Sequence, residues 1–486
     1  MIRSRLTLFH SLDGYSPANL ILYQSMGLVN IDEELEQLLQ QSPELAHAFL
    51  VGGCVRDALL SLPVKDIDIE VYGINYEKLV AALSRSGKTD LVGKSFGVVK
   101  LKTPSGRVYD FSIPRRDSKV APGHKGFQIE FDPAITTSEA AARRDFTINS
   151  ILYDPRKNLL IDHFGGADDL KNGILRHTSN AFAEDPLRVL RGMQLAARFN
   201  LTAAPETLRL CRTIVESYPQ LALERVWEEW AKWAAKSRFP SRGLQFLLAS
   251  GWITHYPELQ ALIGTPQDPE WHPEGDVFIH TCHCCDAMAA LPEWQALEEH
   301  SRIYYMFATL CHDLGKPRTT FVAEKGGHDR IISPGHEKAG GPIAESFLSR
   351  INAPRELVEH VLPLVLNHMA HFQDPSDRAI RRLSKRLAPE NIEGLTLLMT
   401  ADSFGRPPLP PLLPSSIVKL KEKARELNVS TAAPAPLLLG RHLIERGIPP
   451  GPRIGQILDA AYEEQLEGQI ASLEQALAWL DKKLKN

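Results

Sequence analysis

Residues 50–73 read LVGGCVRDALLSLPVKDIDIEVYG, and this stretch decides the fold of the first third of the chain. A short apolar strand runs into Gly52 and Gly53 and then into a helix that carries Arg56. Turn N–H groups, helix dipole and guanidinium face one anion, a seat for a triphosphate. About a dozen residues on, VKDIDIEV alternates with the period of a strand. Asp66, Asp68 and Glu70 fall on one face, and Ile67, Ile69 and Val71 on the other. Three carboxylates on one face repel one another unless cations neutralise them. Two aspartates at i and i+2 can share a pair of divalent ions about 3.5–4 Å apart, the arrangement that activates a hydroxyl and holds a leaving phosphate. A solvated strand face and a plain tight turn are the alternatives; the short spacing between the two features favours the catalytic reading.

Outward from this stretch, FLVGG (49–53), FGVVKLKT (96–103) and RVYDFSI (107–113) read as further strands, with TPSGRV as the hairpin turn between the last two. That hairpin would bring Asp110 beside Asp66 and Asp68 as a third carboxylate. After about residue 180 helical periodicity takes over, as in EDPLRVLRGMQLAARF, ERVWEEWAKWAAK and YEEQLEGQIASLEQALAWLDKKL. An α+β head is followed by an all-helical body, which the Pro-rich RPPLPPLLP (406–414) interrupts as a linker.

The 486 residues, 43% of them apolar, provide for two to four cored domains and exclude a disordered or fibrous chain. A net charge of −4 excludes a global attraction to nucleic acid, so a polyanion must meet local patches. One lies between residues 91 and 127, where Lys94, Lys100, Lys102, Arg107, Arg115, Arg116, Lys119 and Lys125 stand against Asp110 and Asp117, a net of +6. Six cysteines without a paired framework fit a reducing, cytoplasmic setting. No signal-like apolar core opens the chain, and no run approaches the roughly 18 apolar residues of a membrane span. Residues 1–30 carry no motif, and no feature fixes an oligomeric state.

GGCVRD followed by DID resembles the head of the bacterial class II tRNA nucleotidyltransferase and poly(A) polymerase family, within the polymerase β superfamily. RRDFTINSILYD (143–154) is similar to that family's ribose-contacting motif, and IDHFGGADDLKNGILR (161–176) to its hinge. EDPLRVLRGMQLAARF (184–199) is similar to its base-reading helix, and ERVWEEW (224–230) to the next element of its neck. The resemblance implies a polymerase β-like α+β head, in which Asp66, Asp68 and Asp110 are catalytic and Asp66 and Asp68 hold two Mg²⁺. Gly52, Gly53, Arg56, Arg144, Asp145, Asn149, Asp185 and Arg188 would bind the nucleotide. Asp185 and Arg188, at i and i+3 on one helix face, could address the Watson–Crick edge of cytosine or adenine. Asp145 and Asn149, at i and i+4, would share a face toward ribose, with Arg144 on phosphate. RRDSKVAPGHKGFQIEF (115–131) stands where the family carries the loop that helps switch from C to A.

From about residue 270, His280 in FIHTCH, His312 and Asp313 in LCHDLGKP, and Asp402 in TADSFG resemble the HD phosphohydrolase superfamily, with its order H, HD, D. These four would hold a divalent metal, Mg, Mn, Ni or Co, with positions left open for water and a phosphate. His336 and His368 would serve a second ion, and Lys316 would steady the phosphate. The cysteines of CHCC (282–285) lie on the helix of His280 without a second pair at zinc-finger spacing and read as packing residues. His371 has no assigned role.

LLLGRHLIERGIPPGPRIGQILDAAYEEQLEG (437–468) resembles the family's C-terminal body, and RAIRRLSKR (378–386) offers five cations for an RNA backbone. The expected organisation is an arm over 1–30, a nucleotidyltransferase head over 31–175, a helical neck over 176–265, an HD domain over 266–405 and a tRNA-binding tail over 406–486. The expected activity is template-independent addition of CCA to tRNA from CTP and ATP, with hydrolysis of phosphoesters such as 2′,3′-cyclic phosphates in the HD domain. A specialised A-adding or CC-adding enzyme or a poly(A) polymerase is the alternative within the class. An HD phosphohydrolase with an RNA-binding head, or a non-catalytic RNA chaperone, is the alternative outside it.

Overall fold

The computed structural model describes residues 7–9, 21–24, 28–64, 66–90, 97–119, 127–132, 134–370 and 375–485. Lys94, Lys125 and His371 lie outside them, as do residues 120–126 of the expected switching loop and the side chains of Arg115, Arg116 and Lys119. The chain divides into two compact units, residues 1–229 with 242–252 and residues 230–241 with 253–486.

The first unit is built on a nine-stranded sheet. Its strands are β1 (Thr7–Phe9), β2 (Ile21–Gln24), β3 (Ala48–Val51), β4 (Asp68–Val71), β5 (Lys88–Asp90), β6 (Val98–Lys102) and β7 (Val108–Ser112). A separate hairpin, β8 (Arg115–Lys119) with β9 (Phe127–Phe131), lies outside that sheet, and β10 (Leu152–Asp154) and β11 (Leu159–Asp162) complete it. The sheet order is β1-β2-β11-β10-β3-β4-β7-β6-β5. The strands around DID and the TPSGRV hairpin form where the sequence puts them, with β6 and β7 antiparallel and Gly106 taking a positive φ in the turn. β2, in the segment expected to be an arm, pairs antiparallel with β11. It has too few residues to show alternation, so its register with β11 rather than its own pattern defines it. Phe49, Val51, Tyr72, Ala141, Leu152 and Ile161 form a buried cluster on the sheet.

Among its described residues the second unit is helical apart from one antiparallel hairpin, Phe321–Lys325 with His328–Ile332, which the expectation of an all-helical body omitted. Its turn is Gly326-Gly327, both at positive φ, and its strands are largely exposed. Trp230, Trp233, Tyr256 and Phe347 pack edge-on, with Phe307 tilted against them, as an aromatic core. The last helical stretch is two helices, Pro452–Glu467 and Leu473–Lys485, because Gly468 caps the first in the left-handed region at φ 83°. Residues 406–414 form no helix. No helix among the described residues is long and apolar enough to cross a membrane.

Candidate active sites

β4 and β7 run parallel, in a register that sets Asp68 directly opposite Asp110. Hairpin formation thus delivers the third carboxylate, as the sequence implies. Asp66 stands just before β4, exposed, and its charge acts on Asp68. Desolvation first, then the Asp110 and Asp66 charges against the opposing effect of Arg144, push the Asp68 carboxyl up. Lys100, opposite Asp110 on β6, pairs with its Oδ2 at 3.0 Å. Asp110 Oδ1 is buried and has no hydrogen-bond partner. An unpaired buried carboxylate oxygen beside a second and third aspartate is what a divalent cation would satisfy, so the donors fit a metal-dependent nucleotidyltransferase.

Gly52 closes the other side of this centre. Its φ is 73°, and a Cβ there would lie 3.2 Å from Arg144 Nη1 and 3.9 Å from Asp68 Oδ2. Backbone, Arg144 and β4 therefore converge at the GG turn, and Gly53 starts the helix Gly53–Leu59. Arg144 also reaches Glu70 Oε2 at 3.3 Å. Arg56 is committed inward rather than to open solvent. It donates to Asn149 Oδ1 (2.6 Å) and Asp57 Oδ1 (2.6 Å) and lies 4.5 Å from the centre of the Phe199 ring.

The RRDFTIN segment does not form the single helical face expected for Asp145 and Asn149. A 3₁₀ turn occupies only Thr147–Asn149, and Asp145 precedes it. The two still meet, because Asn149 Nδ2 donates to Asp145 Oδ1 at 3.0 Å. Gly166 fixes this turn from behind, since a Cβ there would overlap the Thr147 carbonyl, and Thr147 Oγ1 donates to Asp169 at 2.7 Å. Arg191, which the sequence reading did not single out, holds Asp145 at 2.7 Å. Burial opposes ionisation of Asp145, but the Arg191 charge together with the hydrogen bonds from Asn149, Arg191 and the Phe146 N–H outweighs it and keeps the carboxyl below its ordinary range.

Asp185 is likewise not on a helix face with Arg188. The helix begins at Leu187, and Asp185 is extended (φ −121°, ψ 100°) because Pro186 disfavours the helical region for the residue before it. Asp185 instead receives the Leu187 N–H at 3.1 Å and pairs with Arg225 at 3.0 Å. Arg188 donates to the carbonyls of Ala181 (2.8 Å) and Arg143 (2.7 Å), so it ties the 143–145 segment to the start of the helix Leu187–Phe199. Arg225 lies in the ERVWEEW motif, a signal that pointed to the element but not to the residue.

In the second unit, all six expected HD residues converge. His312, His336 and His368 each place Nδ1 2.7 Å from a backbone carbonyl, of Thr309, Ser333 and Val365 respectively. A carbonyl only accepts, so each Nδ1 is the N–H donor and each Nε2 of the neutral ring carries a lone pair. Those lone pairs point inward. His336 Nε2 stands 3.0 Å from His368 Nε2, and His312 Nε2 stands 3.2 Å from Asp313 Oδ2. Acceptors facing acceptors at such distances call for a cation, and backbone-fixed tautomers are the usual support of metal-bound histidines. Asp313 offers Oδ1 to His336 (3.3 Å) and Oδ2 to His280 (3.5 Å), so one carboxylate spans two donor groups. Asp402 Oδ1 lies 3.2 Å from His280 Nε2.

Lys316 pairs with Asp313 at 2.7 Å and donates to Gln267 at 2.8 Å, at the floor of a cavity of about 480 Å³. Trp271, Lys325 and Arg406 line the same cavity. Gly315 lets the HD turn lie against the first turn of helix His336–Arg350, where a Cβ would overlap the His336 carbonyl. Three neighbours escaped the sequence reading. Glu274 accepts from His280 Nδ1 (2.7 Å) and His272 Nδ1 (2.9 Å), and Cys284 lies 3.3 Å from His280 Nε2. Cys282 and Cys285 are free and buried.

The cations of RAIRRLSKR are taken up within the unit. Lys385 pairs with Glu463 (2.6 Å) and Arg378 with Glu467 (2.6 Å), while Arg382 reaches Glu463 and Glu467. This helix therefore holds the helix Pro452–Glu467, and its charges are not a bare phosphate-binding face.

Residues 48–176 match the poly A polymerase head domain family. The Multifunctional CCA protein of Nitrosospira multiformis is 40% identical over 368 residues, covering 74% of this chain and 83% of that protein. The fold is shared with the Bacillus stearothermophilus CCA-adding enzyme in complex with CTP, at a TM-score of 0.61 and 21% identity over 94% of this chain and 98% of that one. It is shared too with the Thermotoga maritima CCA-adding enzyme complexed with tRNA, at a TM-score of 0.57 and 20% identity over 94% and 97% of the two chains. A head that sets Asp68 against Asp110, and an identity of this level along most of a curated relative, lead to one conclusion: the chain belongs to the multifunctional CCA protein family.

Proposed function

We propose that the protein adds C and A nucleotides to the 3′ end of tRNA, without a nucleic-acid template, at the centre formed by Asp66, Asp68 and Asp110. The observation that carries this reading is the parallel register of Asp68 and Asp110 beside the Gly52 turn. Two Mg²⁺ held by Asp66 and Asp68 would neutralise phosphate charge and lower the barrier to loss of the terminal RNA 3′-hydroxyl proton. Gly52, Gly53 and Arg144 seat the triphosphate of CTP or ATP so that the α-phosphate faces that hydroxyl in line, and pyrophosphate leaves. Asn149, aligned by Arg56 and Asp145, addresses the ribose. Asp185 and Arg188, fixed by Arg225 and by the 143 and 181 carbonyls, choose the base. The related Thermotoga enzyme's complex with tRNA supports the same partner here, and six free, buried cysteines support a cytoplasmic setting.

The second unit is a metal-dependent phosphohydrolase of RNA ends, with His280, His312, Asp313 and Asp402 as ligands of one ion and His336 and His368 serving a second. The direct test of the main activity uses tRNA transcripts that end before the CCA triplet, after its first C or after its second C. Each is incubated with CTP, ATP or both. Products completed to CCA from all three ends support the reading, whereas addition of C alone or A alone would reassign the enzyme to a specialist.

A further inference from the structure

Helix Val277–Ala290 carries Cys284 one turn after His280, and the two side chains meet, Sγ to Nε2, at 3.3 Å. The same Nε2 is 3.2 Å from Asp402 Oδ1. One ligand atom from each of His280, Cys284, His312 and Asp402 lies within 4.8 Å of every other. In a tetrahedral site with metal–nitrogen and metal–sulfur bonds of about 2.1 and 2.3 Å, neighbouring ligand atoms stand about 3.4–3.6 Å apart. The spacings around His280 Nε2 are of that size.

Two independent features point the same way. His312 Nε2 is fully buried, carries a lone pair because Nδ1 donates to the Thr309 carbonyl, and has no hydrogen-bond partner. It is an unsatisfied donor atom for a metal, aimed into the same group. Gly405, three residues after Asp402, leaves room for the sulfur, since a Cβ there would overlap Cys284 Sγ and stand 2.8 Å from the Cys284 amide nitrogen.

We propose that Cys284 is a metal ligand of the HD-type site, so that one of its two positions carries a His-Cys-His-Asp donor set selecting zinc or cobalt over magnesium. The inference rests on reading this unit as a metal centre. Binding breaks the S–H bond, releases the proton to solvent and forms a thiolate–metal bond, with no change of oxidation state. The other position, where His336 and His368 meet Asp313, the carboxylate that the two positions share, has no sulfur donor. The two positions thus differ in softness, and a thiophilic ion fills the Cys284 position first.

The test strips the full-length protein of metal and titrates it with cobalt(II). The wild type should show a thiolate-to-cobalt charge-transfer band in the near ultraviolet. Cys284→Ser and Cys284→Ala should lose that band, and their zinc Kd should rise at least ~10-fold. Cys282→Ala, which removes another buried thiol of the same helix, should keep both. Circular dichroism verifies that each variant is folded. Cobalt binding by the wild type without the band, or a band that survives in Cys284→Ala, overturns the role of Cys284. A wild type that binds neither cobalt nor zinc overturns the metal-centre reading beneath it.

Discussion

Asp110 faces Asp68 across the parallel β4–β7 pair, while Lys100 occupies Oδ2 of Asp110 and leaves Oδ1 buried without a partner. The pair is therefore half neutralised from within, and the remaining oxygen is available to a cation. Asp110→Asn keeps the shape and removes one charge. Nucleotide addition should fall by at least ~10²-fold, equivalent to about 3 kcal/mol of transition-state stabilisation, with both CTP and ATP. Single-turnover incorporation on a tRNA lacking CCA measures this. A loss confined to one nucleotide would count against a shared catalytic role.

Gly52→Ala tests the turn that joins the triphosphate seat to the carboxylates. At φ 73° any residue with a Cβ incurs about 1–2 kcal/mol of strain, and the new atom would press on Arg144 Nη1 at 3.2 Å. The KM for CTP and for ATP should rise about tenfold, with a smaller change in kcat. Steady-state kinetics on both nucleotides gives the split.

Sequence legibility followed the range of the interactions. The DID strand, the GG turn and the hairpin that carries Asp110 are local patterns, and the register of β4 with β7 turned them into a site. Asp185 failed the helical reading because Pro186 acts on its backbone, a local signal that outweighed the periodicity. Arg191 and Arg225 escaped because their partners, Asp145 and Asp185, are 46 and 40 residues away. The ion pairs of the RAIRRLSKR helix escaped for the same reason, since Glu463, the partner of Lys385, lies 78 residues further on. Cys284 was hidden among three cysteines in four residues, all of them free and buried.

Arg191→Met strips the buried Asp145 carboxylate of its countercharge. Removing one partner of a buried pair costs 3–5 kcal/mol, but Arg191 is 40% exposed, so the loss should be about 2 kcal/mol. A carboxyl held below its unfolded pKa adds stability that is complete above that pKa, near pH 4, and is lost as pH falls through the folded value. The wild type should therefore lose this increment on acidification below about pH 4, and Arg191→Met should show less of that loss. Urea denaturation at pH 7 and across the acid range measures both, and Asp145→Asn combined with Arg191→Met should recover part of the stability.

Glu274 receives N–H groups from both His272 and His280, and these bonds outweigh burial to hold its carboxyl at about 2. It fixes His280 with Nε2 toward Asp313 and Asp402. Glu274→Gln keeps an acceptor but removes the charge that raises the basicity of the ring. Zinc affinity should drop about tenfold, read by calorimetric titration of the metal-free protein, with nucleotide addition unchanged.

Asp313 is the one carboxylate that spans both donor groups of the second unit, at 3.3 Å from His336 and 3.2 Å from His312. Asp313→Ala should abolish metal-dependent hydrolysis of a 2′,3′-cyclic nucleotide phosphate. It should leave CTP and ATP incorporation within about twofold of wild type, because Asp66, Asp68, Asp110 and the Gly52 turn, the proposed centre of addition, belong to the other compact unit. Asp68→Ala should give the converse pattern. Loss of both activities in either variant, with the protein still folded by circular dichroism, would refute two separate sites.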